Sequence, residues 1–99
     1  KMTAYNVVRF LVKPGTEKEF ENAHRDVPPI AGAIKADLFK TGDRTYCFVG
    51  EWKSQADLIA ARPKMIANLD RVRPILEDLG NGLGVTDPVS GETVVKIFG

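Results

Sequence analysis

Apolar residues fill odd and even positions alike from residue 5 to residue 12, and the same density returns in residues 45–52. Stretches this short and this rich in β-branched and aromatic residues suit strands buried on both faces. In the first, Val8, Phe10 and Val12 alternate onto one face, and Tyr5, Val7 and Leu11 onto the other; in the second, Tyr46, Phe48 and Trp52 oppose Cys47 and Val49. Residues 32–40 alternate more loosely and carry Lys35, Asp37 and Lys40, as an edge strand does. The turn Thr41-Gly42-Asp43-Arg44 then predicts an antiparallel hairpin between residues 32–40 and residues 45–52.

Elsewhere the period changes to three and four. Pro14-Gly15 ends the first strand, and Thr16 with Glu19 has capping-box spacing, with Glu17 and Glu19 at the positive end of the helix dipole. Phe20, Ala23 and Val27 form the stripe of a short helix that Pro28-Pro29 terminates. After Trp52, Ser54 can cap a second helix, with Asp57 in its first turn. Its apolar face is Leu58, Ala61, Met65, Leu69, Val72, Leu76 and Leu79, and Pro63 and Pro74 predict kinks or restarts. The glycines at 80, 82 and 84 release that helix, residues 87–91 read as a tight turn, and the β-prone residues 93–98 read as the last strand.

The order βαββαβ within 99 residues predicts one domain, residues 1–99. Its fold class is α+β: a ferredoxin-like sandwich of a four-stranded antiparallel sheet with both helices on one face. The other face then needs cover. The aromatic face carrying Val8, Phe10, Phe48 and Trp52 is the one that loses most by staying wet, at about 25 cal/mol per Å². A homodimer packed sheet against sheet is the expected solution.

Hydrophobic residues at 43% and charged residues at 27% are ordinary globular values, and a net charge of +1 gives no electrostatic case for nucleic acid or an anionic membrane as partner. No apolar run approaches the ~18 residues of a membrane span, and no leader pattern precedes Tyr5. The single cysteine predicts a reducing, cytoplasmic setting. No clustering of His, Cys and carboxylates suggests a metal, so no cofactor is expected.

The element order, the Pro14-Gly15-Thr16-Glu17 lead into the first helix, and above all the aromatic strand ending in Glu51-Trp52-Lys53-Ser54 resemble the antibiotic biosynthesis monooxygenase-like family of the dimeric α/β-barrel superfamily. The resemblance implies a homodimer with a small hydrophobic cavity in each subunit. It also implies oxygenation of a small aromatic or quinol-type molecule without metal or flavin, the substrate itself reducing oxygen once deprotonated. Haem-degrading members use an Asn on the first strand, a Trp ending the third and a His on the second helix. Trp52 matches the Trp, but the Asn position falls at Val8, two residues beyond Asn6, and residues 54–79 contain no histidine. Haem degradation is therefore not expected.

The candidate catalytic residues are Asn6 and Trp52, and the candidate substrate-binding residues are Val8, Phe10, Tyr46, Phe48 and Arg62. Each has a structural alternative. Asn6 is out of place in an apolar strand and either faces a cavity or makes a satisfied hydrogen bond. Trp52 is a pocket wall or a core anchor. His24 is a proton shuttle or a residue packed at the border of the first helix. Cys47 lacks a legible base and reads as an inert thiol. Arg9 and Arg62 hold an anionic group or face solvent. The competing function is a non-catalytic small-molecule-binding or structural dimer.

Overall fold

A computed structural model describes residues 2–99. The elements are β1 (Ala4–Leu11), α1 (Glu17–Arg25), β2 (Ala33–Lys40), β3 (Thr45–Trp52), α2 (Gln55–Val72), a 3-10 turn (Arg73–Ile75) and β4 (Asp87–Glu92). The four strands form one antiparallel sheet in the order β2-β3-β1-β4, the ferredoxin-like arrangement, with β2 at an edge as its charges predicted.

Which face the helices take differs from the sequence-based expectation. Even-numbered positions of β1 and β3 point at the helices. Phe10, Val12 and Tyr46 pack with Phe20 of α1, Val72 and Leu76, while Ala4 and Trp52 pack with Leu58 and Ala61 of α2. The aromatic face is therefore the covered one, and no second copy is needed to bury Phe10 or Trp52. The open face carries Tyr5, Val7, Leu11, Cys47, Val49, Phe39 and Val89. Period-two alternation separates two faces but carries no label for which one receives the crossovers.

The caps divide. Ser54 Oγ accepts from the Asp57 N–H at 3.1 Å and starts α2 as predicted. Thr16 sits at the N-terminus of α1 without capping it: its hydroxyl donates to the Lys13 carbonyl at 2.6 Å instead. Val27 lies beyond the end of α1.

Pro63 stays inside α2 without breaking it; it is exposed, two residues past the buried Ala61. Pro74 does end the helix, within the 3-10 turn, so Leu76 leaves the helical stripe and bridges Val12 in an extended conformation, and Leu79 lies outside α2. The glycine-rich loop is consequently not the helix cap: Gly80, Asn81, Gly82 and Gly84 all take positive φ and turn the chain toward β4.

The last strand is displaced. Residues 87–91, expected to turn, form most of β4, whereas of residues 93–98, expected to be the strand, Thr93 bonds to the Thr3 carbonyl and residues 94–98 pair with no described residue. Val7, Asn6 and Tyr5 pair with Val89, Ser90 and Gly91, so the apolar β1 recruits whatever segment the preceding loop delivers beside it. Pro88 is tolerated because β4 is an edge.

Candidate functional site

The predicted pair Asn6 and Trp52 does meet. Ala4 of β1 pairs with Trp52 of β3 and Asn6 with Gly50, placing both side chains under α2. The Trp52 Nε1–H donates to Asn6 Oδ1 at 2.7 Å, and Asn6 Nδ2 reaches the Met65 sulfur of α2 at 3.5 Å. Asn6 is 7% exposed and Trp52 2%. Gly50 makes this possible: a Cβ there would lie 2.6 Å from Asn6 Oδ1 and 3.0 Å from Trp52 Nε1. The amide oxygen is thus already satisfied, and the acceptor for its N–H groups is a weak thioether. Sequence reading passed over Gly50, although a glycine inside a strand is itself a sign of close approach.

A different group of side chains surrounds open space. A cleft of about 440 Å³ is lined by Glu21, His24 and Arg25 of α1, Leu38 and Lys40 of β2, and Tyr46 of β3. The spacing explains the gathering. Positions 21, 24 and 25 share a helix face, while 38 and 40 share a strand face and Lys40 pairs with Tyr46.

The Tyr46 hydroxyl donates to Glu21 Oε2 at 2.5 Å. Burial first, and the Glu21 carboxylate second, push the phenol up to about 12, so it remains a donor. The same bond, followed by Lys40, Arg25 and Lys18, holds the Glu21 carboxyl below its ordinary value, and partial desolvation opposes them. Lys40 Nζ lies 3.9 Å from Glu21 Oε2 and 5.4 Å from the centre of the Tyr46 ring.

The His24 ring packs on Phe20 at 4.6 Å between centroids, and its Nδ1 is 2.7 Å from the Phe20 carbonyl oxygen. A carbonyl only accepts, so Nδ1 carries the hydrogen and the neutral ring keeps its lone pair on Nε2. The cleft therefore combines a ring nitrogen able to take a proton, an ammonium able to face an anion, and a bound phenol that stays protonated, beside the apolar Leu38.

Of the predicted substrate-binding residues, Tyr46 lines this cleft. Phe10 is buried against Phe20 at 5.3 Å, and Val8 and Phe48 are half-buried against the same core. Arg62 is elsewhere, exposed on α2 with Nη2 3.5 Å from Ser90 Oγ of β4. Cys47 is buried on the open face, as its alternation away from Trp52 required. Arg9, on that same face, lies 3.9 Å from Asp87. Glu21 and Lys40 are not among the residues the sequence singles out for a site, because each is an ordinary charged residue of its own element, Lys40 marking only an edge strand. Among the described residues no three His, Cys, Asp or Glu side chains gather as a metal site, and no helix is long and apolar enough to cross a membrane.

No protein-family model matches the sequence, and no curated protein matches it. Solved structures do match in shape. A provisionally named antibiotic biosynthesis monooxygenase from Chloroflexus aurantiacus superposes with a TM-score of 0.72 at 10% identity, covering 95% of each chain. SnoaB, a cofactor-independent oxygenase from Streptomyces nogalater, gives 0.67 at 14% identity over 96% of each chain. A dimeric ferredoxin-like protein from an uncultured marine organism gives 0.72 at 12% identity, covering 99% of this chain and 93% of that one. A protein of unknown function from Nitrosomonas europaea shares the shape as well. At these identities the likeness is one of fold: the chain has the ferredoxin-like fold of the antibiotic biosynthesis monooxygenase-like proteins.

Proposed function

We propose that this protein is a cofactor-independent, monooxygenase-like homodimer acting on a small aromatic or quinol-type substrate in the cytoplasm. The observation that carries the reading is the convergence of His24, Lys40 and the Tyr46–Glu21 pair on one cleft with an apolar side at Leu38. A phenolic substrate would lose its proton to His24, and Lys40 would stabilise the phenolate that forms. The electron-rich ring then reduces oxygen directly: the substrate supplies all the electrons, one oxygen atom enters the product and the other leaves as water. Tyr46, its one hydroxyl hydrogen held by Glu21, stays protonated and does not compete as a base, and its oxygen can accept from a substrate hydroxyl. Asn6 and Trp52, committed to each other, act as positioning residues that fix β1 and β3 beneath α2. The shared fold with SnoaB supports the reaction class, and the dimeric ferredoxin-like neighbour supports the assembly.

Oxygen uptake with a panel of hydroquinones and polycyclic phenols tests the reading. His24→Gln and Lys40→Met should each lower uptake by about 10²-fold while circular dichroism stays unchanged. Chemical-shift changes at His24 and Tyr46 without any oxygen uptake would overturn catalysis and favour a small-molecule-binding dimer. A panel that neither binds nor turns over would remove the cleft from the function.

A further inference from the structure

Glu21 stands between two cations at distances too long for a hydrogen bond. Arg25 Nη2 lies 3.9 Å from its Oε1, and Lys40 Nζ lies 3.9 Å from its Oε2. The oxygen facing Lys40 is taken at closer range by the Tyr46 hydroxyl. Arg25 is the last residue of α1, one turn beyond Glu21, and its Nε donates to Asn22 Oδ1 at 3.0 Å. That bond steadies the guanidinium plane and leaves both of its NH2 groups out of it. With His24 neutral, the lining of the cleft carries two positive charges against one negative, and protonation of His24 only adds to the excess. Lys18 and Glu17, the next charges that bear on the Tyr46–Glu21 pair, offset each other. A phenol that ionises in this cleft uses one cation, and the other is left over.

We infer that the substrate is a hydroxyaryl carboxylate, its carboxylate held by the Arg25 guanidinium while Lys40 takes the phenolate. The inference rests on the oxygenase reading above and names its substrate class. A carboxylate is planar and matches two parallel N–H groups of an arginine, a fit that a lysine ammonium does not offer. Arg25 and Lys40 approach opposite oxygens of the same Glu21 carboxylate, so one substituted ring lying against Leu38 spans them both. The two cations also differ in depth. The Arg25 side chain is 66% exposed and that of Lys40 45%. The carboxylate therefore sits at the rim, where it keeps part of its hydration, and the phenol lies deeper, toward His24 and Lys40. Arg25 is thus the residue that sets specificity, and the groups that handle the phenol are separate from it.

Gentisate (a hydroquinone bearing one carboxylate), its methyl ester and unsubstituted hydroquinone test this on the full chain, by NMR shift titration and oxygen uptake. The acid should bind more tightly than either neutral compound by about tenfold or more, with KM lowered to match. Arg25→Gln should bring the acid to the level of the ester. Arg25→Lys should restore only part of the preference, since an ammonium keeps the charge and loses the fork. An ester that binds and reacts as well as the acid, or a preference that survives Arg25→Gln, overturns the carboxylate site and leaves the oxygenase reading standing. An acid preferred through Arg25 but never oxidised upholds the carboxylate site and overturns the oxygenase reading. If none of the three compounds binds, both fall.

Discussion

The indole Nε1–H of Trp52, on the last residue of β3, points at Asn6 Oδ1, on the third residue of β1, across 2.7 Å. Both side chains are buried, so the bond replaces water for each partner. It ties two adjacent strands on their helix-covered face and presents the remaining amide hydrogens to Met65 of α2. A single polar contact thereby fixes β1, β3 and α2 relative to one another.

Asn6→Leu should accordingly destabilise the protein. It leaves the buried indole N–H without an acceptor, a loss of about 1–3 kcal/mol. Thermal or urea denaturation at matched protein concentration measures it. A variant as stable as the parent would show that the amide serves something other than packing.

Gly50→Ala tests the same region sterically. Its Cβ would sit 2.6 Å from Asn6 Oδ1, 3.0 Å from Trp52 Nε1 and 3.2 Å from Phe48 Cε2, so the bonded Asn6–Trp52 pair would have to shift. We expect a loss of about 1–3 kcal/mol from overpacking and from a lengthened indole–amide bond. The indole N–H resonance of Trp52 should move with it.

The Tyr46–Glu21 pair predicts two opposite pH limbs. Glu21 is depressed, so what it contributes is complete above the ordinary glutamate range and is lost as pH falls through its lowered value. Tyr46 is raised to about 12, so its contribution is complete below the ordinary tyrosine value and is lost as pH rises toward 12. Ultraviolet titration of tyrosinate should show one late phase that Tyr46→Phe abolishes. Glu21→Gln should bring that phase down only partway, because burial is the larger cause and survives the substitution. The same variant should flatten the acid limb of stability.

Ser54→Ala removes the acceptor for the Asp57 N–H at the start of α2 and the donor to Asp57 Oδ2 at 2.9 Å. The expected cost is about 1 kcal/mol. Thr16→Ala, at the start of α1, should cost less, since its hydroxyl serves the Lys13 carbonyl and leaves the helix N–H groups untouched. Paired denaturation curves compare the two.

Residue order alone determined what depends on neighbours along the chain. The Thr41–Arg44 turn, the Ser54 cap and the alternation of β1 and β3 act over distances of a few residues, and each is present as read. Tertiary structure decided what depends on residues far apart. The helix-bearing face was settled by where the crossovers land, and the aromatic side received Phe20 and Leu58. Competition for the edge of β1 placed residues 87–92 in the sheet and left the more β-prone residues 94–98 outside it, because hydrogen bonding to β1 outweighs intrinsic propensity. The cleft is of the same kind: Glu21, Lys40 and Tyr46 are spread over 25 residues, and only the packing of α1 across the β2–β3 hairpin turns an acid, a base and a phenol into neighbours.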